Sequence, residues 1–375
     1  MKILFAGDYV PRNRLLPIVE KGDYEYVFGE VRDIISKIDY AVLNFESPIA
    51  EESDRSISKC GPNLRCTTNA VDAIRYAGFK CATLANNHVR DFGDAAVART
   101  MECLKAQGVD YVGAGKSIDD ATKVLYKKLG REGEILAIIN CCENEFSIAS
   151  KEQYGANPLN PVKQFYAIKE AKEKADYVVV IVHGGHEHHQ LPSPRMQDTY
   201  RFFIDAGADI VVNHHQHCYS GYEIYKGKPI VYGMGNFCMD KDPVRIGEIW
   251  NYGYMVLWDT ENSDKIEIIP YEQCGKQAMV HLLESNAFDS RLKQLNDIIT
   301  NRALLEKETE KYYLDSMITI NNVLEPIQNK YISALQRRHL LPSLLSKKWL
   351  LKLQDFILCE SHRDKMEFYF KERNK

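Results

Sequence analysis

Short apolar runs recur along the first three quarters of the chain, each closed by glycine, asparagine or a charged residue. KILFAG, YAVLNF, KCATLA, DYVGAG, ILAIIN, YVVVIVHGG, DIVVNHH, PIVYGMGNF and YGYMVLW have the length and β-branched content of buried strands. Between several of them, apolar residues spaced three and four apart predict helices over 68–77, 95–107 and 162–175. Strand–helix alternation gives way to closely spaced strands after residue 210, the pattern of an α/β fold whose strands turn antiparallel late. After residue 275 the periodicity is helical, in LEKETEKYYLDSMI and LLSKKWLLKLQDFIL. There is no internal repeat.

Composition narrows this picture. The 375 residues are 45% hydrophobic and 27% charged, which excludes extensive disorder and fits one large domain or two ordinary ones. No stretch approaches the roughly 20 apolar residues of a membrane-spanning helix. The opening run KILFAG is broken at Asp8, too short for a signal-peptide core, and predicts a first strand in a cytoplasmic protein. The formal charge of −4 conceals an asymmetry: residues 1–274 hold 31 Lys+Arg against 39 Asp+Glu, and residues 275–375 hold 17 against 13. This break predicts a main domain over 1–274 and a helical extension over 275–375. The extension has three open roles: covering the sheet, forming a homo-oligomer, or lying on a membrane surface. For the last, Lys347, Lys348 and Lys352 flank Trp349, Leu350 and Leu353. An acidic main domain without a basic stripe excludes nucleic acid as a partner. The ten cysteines form no C-x-x-C pair and several sit in apolar runs, so they read as reduced, buried small hydrophobes.

Histidine carries the chemical signal. Of 11 histidines, seven lie between residues 183 and 217. One cluster, HGGHEHH, follows the run YVVVIV; the other, NHHQH, follows DIVV. Ligand sites of α/β folds lie at that end of the strands. Asp8 follows KILFAG, Asn44 and Glu46 follow YAVL, and Asn86, Asn87 and His88 follow CATLA. Imidazoles mixed with oxygen ligands suit Zn, Mn or Fe in a site of one or two divalent ions. In an extended segment His215 and His217 point to one side and His214 to the other. Each piece alone has a plain structural reading, as a cap, a turn or a solvated loop; five strand ends in one chain favour a site.

These segments resemble the bacterial capsule synthesis protein CapA family, related to poly-γ-glutamate synthesis proteins. The resemblance rests on GDYVPR, LNFESPI, LANNHVRDFGDAAVARTMECLKAQGVDYVGAG, VVIVHGGHEH and IDAGADIVVNHHQHCYSGYEIYKGKPIVYGMGNFCMD, and spans about residues 1–272. It implies a calcineurin-like metallophosphoesterase fold, two packed mixed sheets flanked by helices, around a two-metal site. Carried over, Asp8, Glu46, Asn87, His183, His215 and His217 are the expected metal ligands, with Glu46 bridging. His88 is the expected catalytic histidine, with Asp91 orienting its ring. Asn44, His186, Glu187 and His214 are the expected substrate-binding residues. Three departures stand out. Val10 replaces the first-strand histidine, so one metal position loses a ligand. Gly184 replaces an aromatic, which opens room beside the metal. Asn213 replaces a glycine.

The implied activity is metal-dependent hydrolysis of a phosphoester or of the γ-glutamyl amide of an anionic polymer, by hydroxide supplied from metal-bound water. The alternative is a non-catalytic assembly factor of a surface-polymer machine that keeps the site as a structural metal centre. Retention of His88 favours the enzyme, and loss of the first-strand histidine favours the scaffold.

Overall fold

The structure, a computed structural model, describes residues 1–59, 61–130, 133–324, 329–338, 340–342 and 345–358. Two mixed sheets pack face to face. The first runs in spatial order β16 (Val280–Leu282), β15 (Ile266–Gln273), β14 (Tyr252–Asp259), β1 (Lys2–Val10), β2 (Tyr40–Phe45), β3 (Cys81–Thr83) and β4 (Asp110–Val112), with β13 (Asn236–Met239) parallel to the end of β1. The second runs β11 (Tyr222–Tyr225), β12 (Lys228–Val231), β10 (Ile210–His214), β9 (Tyr177–His183), β7 (Glu134–Cys142) and β6 (Leu125–Leu129). A small ladder joins β5 (Ala114–Gly115) to β8 (Gly155–Ala156).

Side-chain alternation divides the apolar residues between two layers. On β1, Ile3 and Phe5 face the second sheet, in a core shared with Leu136, Val180 and Val211. Leu4 and Ala6 face outward, against α1 (Leu15–Glu20), α2 (Tyr24–Ile35), α3 (Asn69–Ala77) and α4 (Gly93–Ala106). The single turn α5 (Ile118–Ala121) follows β5. The outer face of the second sheet is covered by α6 (Pro161–Lys174), α7 (Pro194–Ala206) and α8 (Asp289–Thr300). Helices α6 and α7 both start on a proline behind a capping side chain: Asn160 accepts from the Lys163 amide and Ser193 from the Met196 amide.

Two apolar runs that read as single strands are each divided. DYVGAG breaks at Gly113 into β4 and β5, and PIVYGMGNF breaks into β12 of the second sheet and β13 of the first. The crossing between sheets falls at Gly233–Gly235, where Gly235 has φ +80°. Among the described residues, eight cysteines are free and all but Cys103 are buried; Cys60 and Cys359 lie outside the description.

The compact unit runs from Met1 to Glu306, past the compositional break at 275. The segment after 275 is not wholly helical: β16 pairs with β15, and Leu292, Leu295 and Ile299 of α8 join the core of the second sheet. The second unit, Lys307–Lys375, carries most of α9 (Arg302–Leu324), then α10 (Lys330–Arg337) and α11 (Lys347–Leu358). On α11, Trp349 and Leu350 are exposed; the side chain of Lys352 lies outside the description. No described helix is long and apolar enough to cross a membrane.

One irregularity sets the direction of Asp8. The pairing of β1 with β2 passes from Ala6↔Leu43 directly to Asp8↔Asn44, so Gly7 is an inserted residue. By strict alternation Asp8 would point outward with Leu4 and Ala6; the bulge turns it inward beside Asn44. No side chain fits at the insertion, because a Cβ on Gly7 would lie 1.9 Å from the Gly235 carbonyl oxygen. Gly7→Ala is expected to destabilise the fold by about 3 kcal/mol, the upper end of overpacking costs, read as a lowered thermal midpoint.

Candidate metal centre

The C-terminal ends of β1, β2, β3, β9 and β10 meet at one edge of the sandwich. Asp8 lies on β1, Asn44 on β2 with Glu46 one residue beyond it, and Asn86–His88 follow β3. Across the parallel strands β9 and β10, His183 and His214 lie in register at the strand ends.

Five side chains form two overlapping groups, Glu46–His183–His215 and Asp8–Glu46–His217, in each of which the potential ligand atoms lie within 4.8 Å of one another. Glu46 belongs to both. Its carboxylate is fully buried, and neither oxygen meets a hydrogen-bond donor among the described residues. Asn87 joins the first group, with Oδ1 3.1 Å from His183 Nε2. His183 Nε2 lies 3.4 Å from Glu46 Oε1; a buried carboxylate without a hydrogen bond is costly, and cations placed between Glu46 and its neighbours would satisfy both oxygens. The donor set therefore fits divalent ions: Asp8, Glu46 and His217 on one side, Glu46, Asn87, His183 and His215 on the other.

The remaining residues hold these in place. Asn44 is fully buried; its Nδ2 donates to Asp8 Oδ1 at 2.8 Å and lies 3.2 Å from His183 Nδ1, while its Oδ1 accepts from Thr83 and Asn86. Its position is beneath the centre rather than on an open wall. His214 is buried too, with Nδ1 3.4 Å from Asp8 Oδ1, so it faces the same carboxylate as His217 and not the opposite side. The pair His215 and His217 converges by a route other than strand alternation. Strand β10 ends at His214, and His215 (φ 91°) and His217 (φ 55°) both adopt the left-handed region. Such backbone costs roughly 1–3 kcal/mol per non-glycine residue and is typical of functional sites.

The departures from the resembling family have physical accounts. Val10 is buried in an apolar plug with Leu64, Met239 and Trp250. Gly184 does not open a cavity: a Cβ there would meet Glu143 Cγ at 2.6 Å, and the Glu143 carboxylate accepts from the Gly185 amide and pairs with Arg195. Asn213 ties three elements together, accepting from the Tyr200 hydroxyl and donating to the Gly184 and Tyr232 carbonyls.

His88 Nδ1 lies 2.7 Å from Asp91 Oδ2. Asp91 also accepts from the Leu64 amide and from Lys59, an ammonium group with 3% side-chain exposure on the loop before α3. Lys59 was invisible in the sequence, because nothing links it to a residue 32 positions on until the loop folds back. At the mouth, Glu187 is exposed, His186 is half-buried, and His188 has φ +60° with its ring 5.5 Å from that of Trp250.

Charge follows burial. Desolvation raises Asp8, but the His214 and His217 rings, 3.4 and 3.5 Å from its oxygens, outweigh it and hold the carboxyl well below its usual range. Burial, then the charge of Asp8, pushes Glu46 well above its own. Burial, then the charge of neighbouring histidines, lowers His183 and takes His215 down to about 4. Burial also opposes charge on His217, yet Glu46 and Asp8 together raise it to about 9.

An α/β sandwich with a buried histidine–carboxylate centre at its strand ends is thus the class of protein that fold and site define. The chain belongs to the family described as bacterial capsule synthesis protein PGA_cap, whose family model matches residues 2–241. It is 33% identical over 249 residues to the capsule biosynthesis protein CapA of Bacillus anthracis, covering 64% of this chain and 60% of that one. It is 32% identical over 240 residues to the PGA biosynthesis protein CapA of Bacillus subtilis (strain 168), covering 63% of each. These matches span less than two thirds of either relative. Among solved structures, a putative 5'-nucleotidase from Staphylococcus aureus overlaps 80% of this chain and 59% of its own, with TM-score 0.44 and 15% identity. A 5'-nucleotidase precursor from Thermus thermophilus overlaps 79% and 57%, with TM-score 0.42 and 13% identity.

Two outcomes follow from the charge states. Burial and the charge of Asp8 favour the neutral form of Glu46, so Glu46→Gln, which keeps the shape and removes the ligand charge, is expected to leave metal-free thermal stability little changed and to abolish stabilisation by added Mn²⁺, measured by thermal unfolding. His217, raised to about 9, carries a proton near pH 7 that a cation must displace. Apparent Mn²⁺ affinity is therefore expected to rise with pH until about 9, with protons released on binding, measured by calorimetry in buffers of different ionisation enthalpy.

Proposed function

We propose that this chain acts in capsule or exopolymer metabolism of the poly-γ-glutamate type, as a metal-dependent hydrolase of a phosphoester or a γ-glutamyl amide. The names of the two Bacillus relatives support the pathway. The buried carboxylate of Glu46, without a hydrogen bond among the described residues and shared by two groups of ligands, is the observation that carries the hydrolase reading. Divalent ions held there would make bound water acidic enough to ionise near neutral pH and would neutralise charge on the attacked group.

The protein's own part is proton handling and positioning. His88 Nδ1 lies 2.7 Å from Asp91 Oδ2 and 3.1 Å from Lys59 Nζ; the shorter contact, to a carboxylate that also accepts from Lys59 and Leu64, favours the proton on Nδ1. Burial lowers the pKa of His88, against the pull of Asp91, so the neutral ring presents a lone pair at Nε2. His88 would take a proton from the attacking water at that atom and return it to the leaving oxygen or nitrogen. Asn44 and His214 keep Asp8 in place from below. Glu187, exposed beside the histidines, faces the incoming substrate.

One observation favours the second reading, an assembly factor whose centre is structural. The apolar plug around Val10 leaves the Asp8–His217 group with few donors. His88→Ala separates the two. The protein is loaded with Mn²⁺ or Zn²⁺, its metal content is measured, and hydrolysis of phosphoester and γ-glutamyl substrates is followed. An enzyme loses about 10²–10⁴-fold in turnover on His88→Ala while keeping its metal. Metal lost only in the His215→Ala/His217→Ala double variant places the ions; turnover indifferent to His88, or absent from loaded wild type, overturns the hydrolase.

A further inference from the structure

We infer that Glu145, on the loop after β7, is a positioning residue for this centre: a single carboxylate that turns the donor ends of Asn87 and His215 outward and thereby aims their acceptor atoms inward. The inference rests on the reading of the centre as a cation site and adds a residue that neither the motifs nor the ligand groups contain.

Asn87 and His215 share a geometry. Each has one end at His183 and the other at Glu145. Asn87 Oδ1 lies 3.1 Å from His183 Nε2, and its Nδ2 donates to Glu145 Oε2 at 3.4 Å. His215 Nδ1 lies 3.1 Å from His183 Nε2, and its Nε2 is 3.9 Å from Glu145 Oε1. Both side chains are ambiguous alone: an amide can be turned end for end, and a neutral imidazole has two tautomers. Without a cation, His183 sets the same inner ends, because the Asn44 NH₂ at its Nδ1 leaves the proton on Nε2; a cation at His183 would remove that donor, and Glu145 would remain. An ionised carboxylate only accepts. Facing Glu145, Asn87 presents its NH₂, and the carboxylate charge 3.9 Å from His215 Nε2 favours the proton at that nitrogen, which leaves Oδ1 and the Nδ1 lone pair directed at His183. Those are the atoms a cation needs.

The surroundings favour the same reading. Two residues further on, the Ser147 hydroxyl donates to the Asn87 carbonyl at 2.7 Å, so this loop fixes the backbone of Asn87 as well as its amide. The Glu145 side chain is 38% exposed, at the solvent edge of the group. Residues behind metal-bound histidines act in this way, and losing them weakens metal binding by about 10–100-fold.

The test is Mn²⁺ affinity by calorimetry on the full chain, with metal-free thermal stability measured alongside. Glu145→Gln keeps the shape but puts an NH₂ where a donor must be received. Glu145→Asp keeps the charge but withdraws it by one methylene. Positioning predicts that both weaken Mn²⁺ binding, Glu145→Gln by about 10–100-fold, with unchanged unfolding midpoints. Loss in Glu145→Gln alone assigns the effect to charge and overturns positioning, as does wild-type affinity in both variants. If wild type itself binds no Mn²⁺, the cation reading fails before Glu145 is tested. Should Glu145→Gln fail to fold, the result for Glu145→Asp decides the question.

Discussion

Glu46 is drawn out of water at the end of β2, between two histidines on one side and an aspartate and a histidine on the other. Its own hydrogen-bonding capacity is met by none of the described residues. Burying a carboxylate this way is tolerable only if it is neutralised by a proton or by cations. The rest of the edge is organised around that requirement. Asp8 is held toward its charged form by the His214 and His217 rings beside it, and burial, then the charge of Asp8, pushes Glu46 toward its neutral form. His183 and His215 stay neutral because they are buried together, which is the state a metal ligand needs.

The backbone departs from regularity where it serves this edge. A bulge at Gly7 turns Asp8 inward, and Gly235 crosses against it where the chain changes sheets. His215 and His217 occupy left-handed backbone to bring both rings to one carboxylate. These irregularities lie within a few residues of Asp8 and of the histidine turn, while the strands leading to them are continuous and apolar. Rigid strands thus supply the footing, and local strain at their ends supplies the aim.

Much of this was legible in the sequence. Continuous β-branched runs such as YVVVIV and DIVV mark strands buried on both faces, so the polar residues closing them mark the functional edge. Asp8, Glu46, Asn87, His183, His215 and His217 are gathered there. The route of each residue was not legible. Period-two alternation puts Asp8 outward and His214 opposite His215, and a one-residue bulge and a left-handed turn reverse both. PIVYGMGNF reads as one strand because its glycines cannot be told from packing glycines until the two sheets are known. Lys59 and Glu145 carry no motif and reach the centre only through loop folding. The charge break near 275 records a change of surface, and packing follows a different boundary: β16 and α8 complete the sheets beyond it.

Anomalous diffraction from crystals soaked in Mn²⁺ reads the centre most directly. The account predicts a peak beside Glu46 in contact with His183, His215 and Asn87 Oδ1, with a second, when present, between Glu46, Asp8 and His217. Crystals that show no peak at Glu46, with His217 still against Asp8 and the Glu46 carboxylate unmoved, would contradict it.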